Sequence, residues 1–305
     1  MKNDYDVIII GGSYSGLAAA MALGRALRRV LVVDGGSPCN AQAPFSHNFL
    51  TQDGKSPREI GQLARQQVNK YDTVEFLNDL AIQAIETENS FEIHTKSGKI
   101  QSAQKLIFAT GIEDTLPDIT GFTECWGISI LHCPYCHGYE ARGLRTGILG
   151  NGVKGFELAK LISNWNEEIT ILTNGKADFM ADQLNSLGHY SIKIDEREIL
   201  EIEQTKGSID QIVFTDHSKT PFQVLYTRLP FLQQCALPEQ LGCAFTEEGY
   251  IKTDRLQKTS VSGVFACGDN CNRMRTIAHA VASGTTAGMI ANRELIDDHF
   301  NKIKP

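Results

Sequence analysis

The sequence lacks the features of two large classes of protein. No apolar run approaches the ~18 residues that a membrane-spanning helix needs, so we expect no membrane segment. Basic residues are not in excess, because 36 acidic residues outnumber 29 basic ones and the formal net charge is -7. A nucleic-acid partner is therefore not expected. The N-terminus also lacks the long apolar run of a secretory leader, and we expect a cytoplasmic protein.

Cysteine is present, but close pairs of cysteines are scarce. The 305 residues contain eight cysteines, of which only Cys133 and Cys136 have the two-residue spacing, in the string LHCPYCHGYE. In a chain without a leader, such a pair is a candidate for catalysis or metal binding. Three chemistries suit it: half of a zinc site, a glutaredoxin-type redox centre, or a disulfide that exchanges electrons with a flavin.

A dinucleotide-binding unit is indicated at the N-terminus. Residues 5–16 read YDVIIIGGSYSG, a buried strand that runs into glycines, and a helical stretch and the strand VLVVD follow. Gly11 permits the tight turn, Gly16 lets the helix pack closely on the strand, and the helix N-terminus faces a pyrophosphate. Asp34 ends the second strand, where an acid can bind a ribose hydroxyl. Ser13 replaces the middle glycine, and the turn should tolerate this small residue.

A second unit of the same type lies in the middle of the chain. In TGILGNGVKGFELAKLI, a short strand precedes Gly150, Gly152 and Gly155 in full G-x-G-x-x-G spacing. Two more apolar strands, KLIFATG and GVFACGD, lie on either side of this unit in the chain. A length of 305 residues suggests two domains, and these flanking strands favour one domain inserted into the other.

In their order and spacing, these motifs resemble the low-molecular-weight thioredoxin reductase family of flavoproteins. The resemblance spans nearly the whole chain and includes GGSYSG, HNF at 47–49, ATG at 109–111, CPYC, GNGVKGFELA and GVFACGD. It implies an α/β fold of two Rossmann-like, three-layer ββα domains, with an FAD-binding domain at 1–112 and 245–305 and an inserted NAD(P)H-binding-like domain at 113–244. The FAD contacts that it implies are Gly11, Ser13, Gly16, Asp34, Asn48, Gly111, Gly268, Asp269, Arg275 and Thr276.

The predicted second cofactor site departs from that family in two places. Where the family carries arginines for the 2′-phosphate of NADPH, this chain has the residues TNGK at 173–176. Farther on, Leu229 and Pro230 replace a glycine-containing strand end. Gly150, Gly152 and Gly155 predict a bound NAD(P)H, whereas these two departures weigh against it, so NADPH stays an open possibility.

The position of the cysteine pair decides among the three chemistries. Zinc needs two more ligands, and the near pair Cys267 and Cys271 flanks the segment given to the flavin. A glutaredoxin motif begins a small domain, whereas this pair lies between two dinucleotide units. We therefore predict no metal and a flavin-coupled disulfide, with a helix that begins at Cys133-Pro134 and lowers a thiol pKa. By the resemblance, Cys136 is nearer the flavin and Cys133 meets the substrate.

His137 stands where the family carries an aspartate that acts as an acid near the flavin. Histidine exchanges protons near neutral pH, so we predict that His137 is catalytic. The alternative is a helix-start residue that bonds to the backbone. Glu140 is a candidate to orient His137, and His47 and His132 are expected to be structural.

These features predict a thioredoxin reductase-like enzyme that transfers electrons between FAD, the Cys133–Cys136 disulfide and an external substrate. The expected partner is a thioredoxin-like protein or a small dithiol or disulfide, and the family implies a homodimer. A bulky substrate would require the small domain to rotate about hinges near 113–116 and 243–247. The form CPYCHGYE also resembles a branch with dithiol oxidases, which pass electrons from small dithiols to oxygen. A non-catalytic, redox-sensing flavoprotein is the alternative from another class.

Overall fold

A computed structural model describes residues 4–302 of the protein. The first part of the chain contains β1 (Tyr5–Ile10), α1 (Tyr14–Arg25), β2 (Val30–Asp34), α2 (Pro57–Val68), β3 (Val74–Asn78), β4 (Ala81–Glu86), β5 (Phe91–Thr95), β6 (Ile100–Phe108) and β7 (Ile112–Asp114). The strand, turn, helix and second strand predicted from residues 5–34 are therefore present.

The middle of the chain begins a second set of elements. They are α3 (Phe122–Cys125), β8 (Ile130–Leu131), α4 (Pro134–His137), β9 (Thr146–Leu149), α5 (Gly152–Ile162), β10 (Ile169–Leu172), α6 (Ala181–His189), β11 (Lys193–Asp195), β12 (Ile199–Thr205), β13 (Ser208–Phe214), β14 (Lys219–Thr220), β15 (Val224–Thr227) and β16 (Phe231–Gln233). The last part contains α7 (Leu237–Gln240), β17 (Val264–Ala266) and α8 (Ile277–Lys302).

The first and last parts of the chain share one sheet of seven strands. Its order is β3-β2-β1-β6-β5-β4, and β17 pairs with the second half of β6. The strands β3, β2, β1, β6 and β17 run parallel, so their carboxyl ends meet at one edge. Since β17 completes a sheet that β1 began, the middle of the chain is an insertion.

Burial on both faces explains the unbroken apolar sequence of these strands. Val7 and Ile9 pack on the face that α1 and α8 cover. Ile8 and Ile10 point to the opposite face, because side chains alternate along a strand, and they pack with Leu237. The same sheet core therefore joins residues from both ends of the chain.

The insertion is built from three layers. A parallel sheet in the order β11-β10-β9-β15-β8 forms the middle layer. One face packs on α5 and α6 through residues such as Leu158 and Leu187. The other face packs on the antiparallel strands β12, β13 and β14 through residues such as Ile202 and Ile212. This arrangement is the ββα fold predicted for the second unit, and the predicted α/β fold is confirmed.

The chain passes between the two sheets through a pair of short antiparallel strands, β7 and β16. After β16 the chain packs at once on the first sheet, because Leu237 and Cys243 belong to that core. The boundary at 244/245 remains a prediction from sequence, and this packing favours an earlier return, soon after β16. Among residues 4–302, no helix combines the length and the apolar character needed to cross a membrane.

Candidate active site

A cavity of about 840 Å³ opens at the carboxyl edge of the first sheet. Open α/β sheets bind ligands at this edge, outside the ends of the parallel strands, and the volume suits a large cofactor. The lining includes these predicted residues: Gly11 and Ser13 after β1, Asp34 at the end of β2, Gly111 after β6, Asp269 after β17, and Arg275 and Thr276 before α8.

Two glycines set the shape of the turn between β1 and α1. Gly11 has a φ of +106°, and a methyl group there would lie 2.3 Å from the carbonyl oxygen of Ala109. A methyl group on Gly16 would lie 1.9 Å from the carbonyl oxygen of Gly11. In the described chain the Ser13 side chain makes no capping hydrogen bond to α1. The helix N-terminus is thus left to an anionic ligand, which the predicted pyrophosphate supplies.

Gly16→Ala is expected to lower the free energy of unfolding by about 3 kcal/mol and to reduce the bound flavin strongly, because the turn must move away from α1. Flavin absorbance relative to protein absorbance, together with a urea titration, measures both effects. The control is Gly188→Ala near the end of α6, where an added methyl group meets nothing within 4 Å. Equal flavin content and equal stability in the two variants would contradict the turn's role.

The acidic end of β2 is positioned as the sequence predicted for a ribose contact. Asp34 accepts a hydrogen bond from the amide of Gly36 at 3.1 Å, and Arg65 lies 3.6 Å from its other oxygen. A side pocket that includes Arg65, Asn78 and Lys96 continues from this point. The carboxylate therefore faces the cavity at a position that suits a sugar hydroxyl.

A buried ion pair lies at the other end of the cavity. Arg275 binds Asp114 of β7 through two hydrogen bonds of 2.8 and 2.6 Å. Its Nε atom has no hydrogen-bond partner within residues 4–302, and it lies 3.9 Å from Asp269. Burial raises the pKa of Asp269 to about 6, and Arg275 partly offsets that rise. The open donor on Arg275 fits a cofactor that carries hydrogen-bond acceptors.

Some predicted flavin contacts are not among the residues that line the cavity, and one of the lining residues that were not predicted is a cysteine. Gly16 and Gly268 serve the packing of the turns around α1. Asn48 lies in a left-handed turn and is not one of the described residues that line the cavity, so its predicted flavin contact gains no support. That cysteine is Cys39, which belongs to none of the sequence motifs, and its sulfur lies 4.0 Å from Asp269. The Cys39 residue as a whole is exposed, but desolvation of its thiol at the cavity wall raises the pKa of that thiol to about 12.

The cysteine pair lies beside this cavity at the start of α4. Cys133 is the N-cap residue and Pro134 the first helical residue, which confirms the predicted helix start. The thiol of Cys136 hydrogen-bonds to Cys133 and lowers the pKa of Cys133 to about 7. The same bond, together with burial, raises the pKa of Cys136. Cys133 can therefore ionise near neutral pH and attack a disulfide, with Cys136 as the resolving thiol.

Histidines flank the pair on the cavity side. His132 and His137 both line the cavity. Burial, together with the charge of Arg275, lowers the pKa of His132 to about 3, so His132 is neutral. Burial also lowers the pKa of His137, and the neighbouring His47 lowers it further. Glu140 lies 3.6 Å from His47 rather than in a hydrogen bond with His137.

The chain that the structure describes contains no group of three His, Cys, Asp or Glu side chains that could hold a metal. Neither cysteine of the second near pair lines the cavity. Cys267 is fully buried, and Cys271 packs against the first core with its sulfur 3.4 Å from the carbonyl oxygen of Gly268. Burial raises the pKa of the Cys271 thiol to about 12. The redox chemistry is therefore best placed at Cys133 and Cys136.

The second glycine loop begins α5 as predicted, but the loop after β10 covers it. The Asn151 side chain accepts hydrogen bonds from the amides of Gly152 and Asp178, at 2.8 and 2.9 Å. It also donates to the carbonyl of Lys176 at 2.8 Å. The carboxylate of Asp178 is thereby held near Gly152, close to where a pyrophosphate would bind. A negative group there, with no arginine for a 2′-phosphate in the segment 173–176, does not fit NADPH.

Comparisons with known proteins find relatives that match nearly the whole chain. The pattern of the family described as pyridine nucleotide-disulphide oxidoreductase matches residues 5–284. The chain is 34% identical to thioredoxin reductase tcpT of Claviceps purpurea (strain 20.1), covering 97% of this chain and 96% of that protein. It is 30% identical to thioredoxin reductase sirT of Leptosphaeria maculans, with 94% and 93% covered. The crystal structure of an oxidoreductase from Agrobacterium tumefaciens has 36% identity and a TM-score of 0.90, with 97% and 99% covered.

Proposed function

The chain belongs to the pyridine nucleotide-disulphide oxidoreductase family as a thioredoxin reductase-like member, and from this we propose that its Cys133–Cys136 pair exchanges electrons with an external dithiol or disulfide. Members of the family use FAD, with NAD(P)H as the second cofactor, and this protein is an FAD-dependent oxidoreductase. The observation that carries the proposal is a pair of free thiols at the start of α4, Cys133 and Cys136, beside a cofactor-sized cavity.

The residues that line the cavity fit FAD. We assign the pyrophosphate to the turn at Gly11 and Ser13 and to the N-terminus of α1, and a ribose to Asp34. Gly111, Asp269, Arg275 and Thr276 then surround the flavin end. When bound, FAD supplies a two-electron acceptor and donor.

The protein itself must handle the thiols and their protons. The Cys133 thiolate attacks a substrate disulfide, or receives attack by a substrate thiolate when the pair is oxidised. Cys136 resolves the mixed disulfide, so that the substrate leaves. We assign His137 as the group that takes and returns a proton between the pair and the cavity, because it follows Cys136 and lines the cavity. This assignment keeps the acid–base role predicted from sequence.

The substrate is proposed as a class, with two members. One is a disulfide protein of the thioredoxin type, which requires rotation of the inserted domain, 113–244, on the FAD domain, 1–112 and 245–305. The other is a small dithiol, with oxygen as the final acceptor. The covered second glycine loop favours the second member, because it weakens the route from a nicotinamide donor.

A homodimer is proposed from the family alone. A sensor without turnover is disfavoured by the ionisable Cys133.

Anaerobic titration of the flavin with NADPH, with NADH and with dithiothreitol tests the electron donor. We expect dithiothreitol to bleach the flavin and NADPH to act at least about a hundredfold less effectively, because two charge-assisted bonds to the 2′-phosphate are missing, at about 1.5 kcal/mol each. Asp178→Asn should improve reduction by a nicotinamide, and Asp182→Asn on nearby α6 is the matched control. Rapid bleaching by low concentrations of NADPH would instead favour a reductase that uses the second site.

A further inference from the structure

His137 is partly buried beside the cysteine pair, and its two ring nitrogens have no direct path for protons to solvent. Both ring nitrogens are buried, and no atom of residues 4–302 completes a hydrogen bond to either. The carbonyls of Phe45 and Cys133 lie near the ring and raise its pKa, against the larger lowering effect of burial. A base in this position can collect a proton from the thiol side, but it must pass that proton on before the next turnover.

His47 is the neighbour that reaches from His137 towards solvent. The two rings stand edge to face, with centroids 6.4 Å apart, a separation that one bridging water can span. On its other side, Nδ1 of His47 lies 3.4 Å from Asp53 and 3.6 Å from Glu140. The His47 side chain is 18% exposed, against 65% for Asp53 and 44% for Glu140. The series thus runs from a buried ring to two carboxylates in water.

The loop that carries His47 is folded so as to hold this geometry. Ser46 and Lys55 pair across its base, with the amide of Ser46 2.8 Å from the carbonyl oxygen of Lys55. Asn48 takes a φ of +59°, and its amide donates to one oxygen of Asp53 at 2.7 Å. The other oxygen of Asp53 is thereby turned towards His47. Asn48 therefore has a role in this loop, whatever its relation to the flavin.

We propose that His47 is a positioning residue that passes protons between His137 and solvent, with Asp53 and Glu140 as its outer partners. The proposal rests on the proposed function. The motif HNF at 47–49, which the sequence comparison connected with the flavin, then serves the proton path through its histidine.

The proton balance of the thiol pair requires such a path. When Cys133 and Cys136 close to a disulfide, two S–H bonds break and one S–S bond forms, which releases two electrons and two protons. FAD, which we assign to the cavity at Gly11, Asp34 and Arg275, would supply the acceptor for the electron pair and for one of the protons. His137 takes the other proton, and His47 receives it and releases it on the side of Asp53 and Glu140. When the disulfide opens, the same protons move in the opposite direction.

The charged groups around His137 determine the direction of the expected pH shift. They are His47, Glu140, His132 and the two thiols, and Asp53 acts through His47. The positive charge of His47 lowers the pKa of His137, because two like charges oppose each other. Removal of His47 should therefore raise the pKa of His137 and shift its titration to higher pH.

Anaerobic stopped-flow reduction of the flavin-loaded protein by dithiothreitol, followed across neutral pH, tests the relay. His47→Ala is expected to slow flavin reduction about tenfold, and added imidazole should restore the rate by entering the vacated space. His94→Ala is the matched control, because His94 is also half-buried and lies 3.9 Å from a carboxylate, Glu92, on β5. The control should keep its rate and show no response to imidazole. His47→Gln retains the size of the side chain in case the loop needs it.

NMR titration of the histidine ring protons gives a second readout that does not depend on turnover. The His137 signal should titrate at higher pH in His47→Ala and remain unchanged in His94→Ala. If dithiothreitol reduces the wild type normally, and both His47 variants keep the wild-type rate and the wild-type His137 titration, the relay is wrong but the proposed function stands. A wild type that dithiothreitol does not reduce would overturn the proposed function and the relay with it.

Discussion

Cys136→Ser is expected to retain its flavin and to lose dithiol-dependent flavin reduction by at least about a thousandfold. A serine hydroxyl cannot form a disulfide with Cys133, so dithiothreitol would find no enzyme disulfide to reduce and no dithiol pair would remain to pass electrons to the flavin. The flavin should stay bound, because its proposed contacts lie on the turns of the first sheet and not on the cysteine pair. Anaerobic mixing with dithiothreitol, together with the flavin-to-protein absorbance ratio, measures both quantities.

The matched control for this loss is Cys271→Ser. Cys271 follows β17, close to the segment proposed to hold the flavin. Its side chain packs against the core on the face of the first sheet that contains Ile8 and Ile10, and burial raises the pKa of its thiol to about 12. Flavin reduction in this variant should proceed at the rate of the wild type. If Cys136→Ser were reduced normally, electrons would have to reach the flavin through another thiol, and Cys39 in the cavity wall would be the next residue to replace.

Asp114→Asn is expected to lower the free energy of unfolding by about 3 kcal/mol, because it leaves the buried Arg275 with an incompletely compensated charge. Both side chains are largely shielded from solvent, with 15% of Arg275 and 7% of Asp114 exposed, and their two hydrogen bonds connect β7 to the segment before α8. Urea denaturation of the flavin-loaded protein, followed by fluorescence and by flavin release, gives the change. The flavin should also be released at a lower urea concentration, since Arg275 lines its cavity.

An exposed ion pair on the same segment provides the comparison. Glu248 pairs with Arg273, and both side chains are largely exposed to solvent. Glu248→Gln should therefore cost less than about 1 kcal/mol, since water screens such pairs. Equal losses of unfolding free energy in Asp114→Asn and Glu248→Gln would show that burial of the Arg275–Asp114 pair adds nothing to its effect on stability. The ion pair between Arg275 and Asp114 holds Asp114 beside the segment that precedes α8. We therefore expect the first hinge of the proposed domain rotation to lie after Asp114, within the predicted range 113–116.

The local parts of this site were predictable from sequence because each depends on residues close together in the chain. The turn between β1 and α1 needs Gly11 and Gly16 within a few positions of each other, because a methyl group on Gly16 would lie 1.9 Å from the carbonyl oxygen of Gly11. The start of α4 at Pro134 follows from the fixed φ of proline and its missing amide hydrogen. The insertion was readable because strands of one sheet lie on both sides of a complete dinucleotide unit.

Other features depend on contacts between distant segments, which no local pattern records. Asp114 has no distinguishing neighbour in sequence, yet it is the partner of Arg275, 161 residues away. In the segment after β10, the sequence pattern showed only that the arginines expected for a 2′-phosphate are absent. It gave no reason to single out Asp178, which the fold places beside the turn at Gly152.

The sequence by itself determined the two strand–glycine-loop–helix units, their order and the helix start at the cysteine pair, because periodicity, glycine spacing and paired thiols are properties of short segments. The tertiary structure decided what surrounds them. It placed Cys39 in the cavity wall, covered the second glycine loop, and brought His47 within 6.4 Å of His137 from a loop about 90 residues earlier in the chain. These contacts form only when the packing of both sheets has positioned the loops at their edges, so their chemistry becomes visible only in the folded protein.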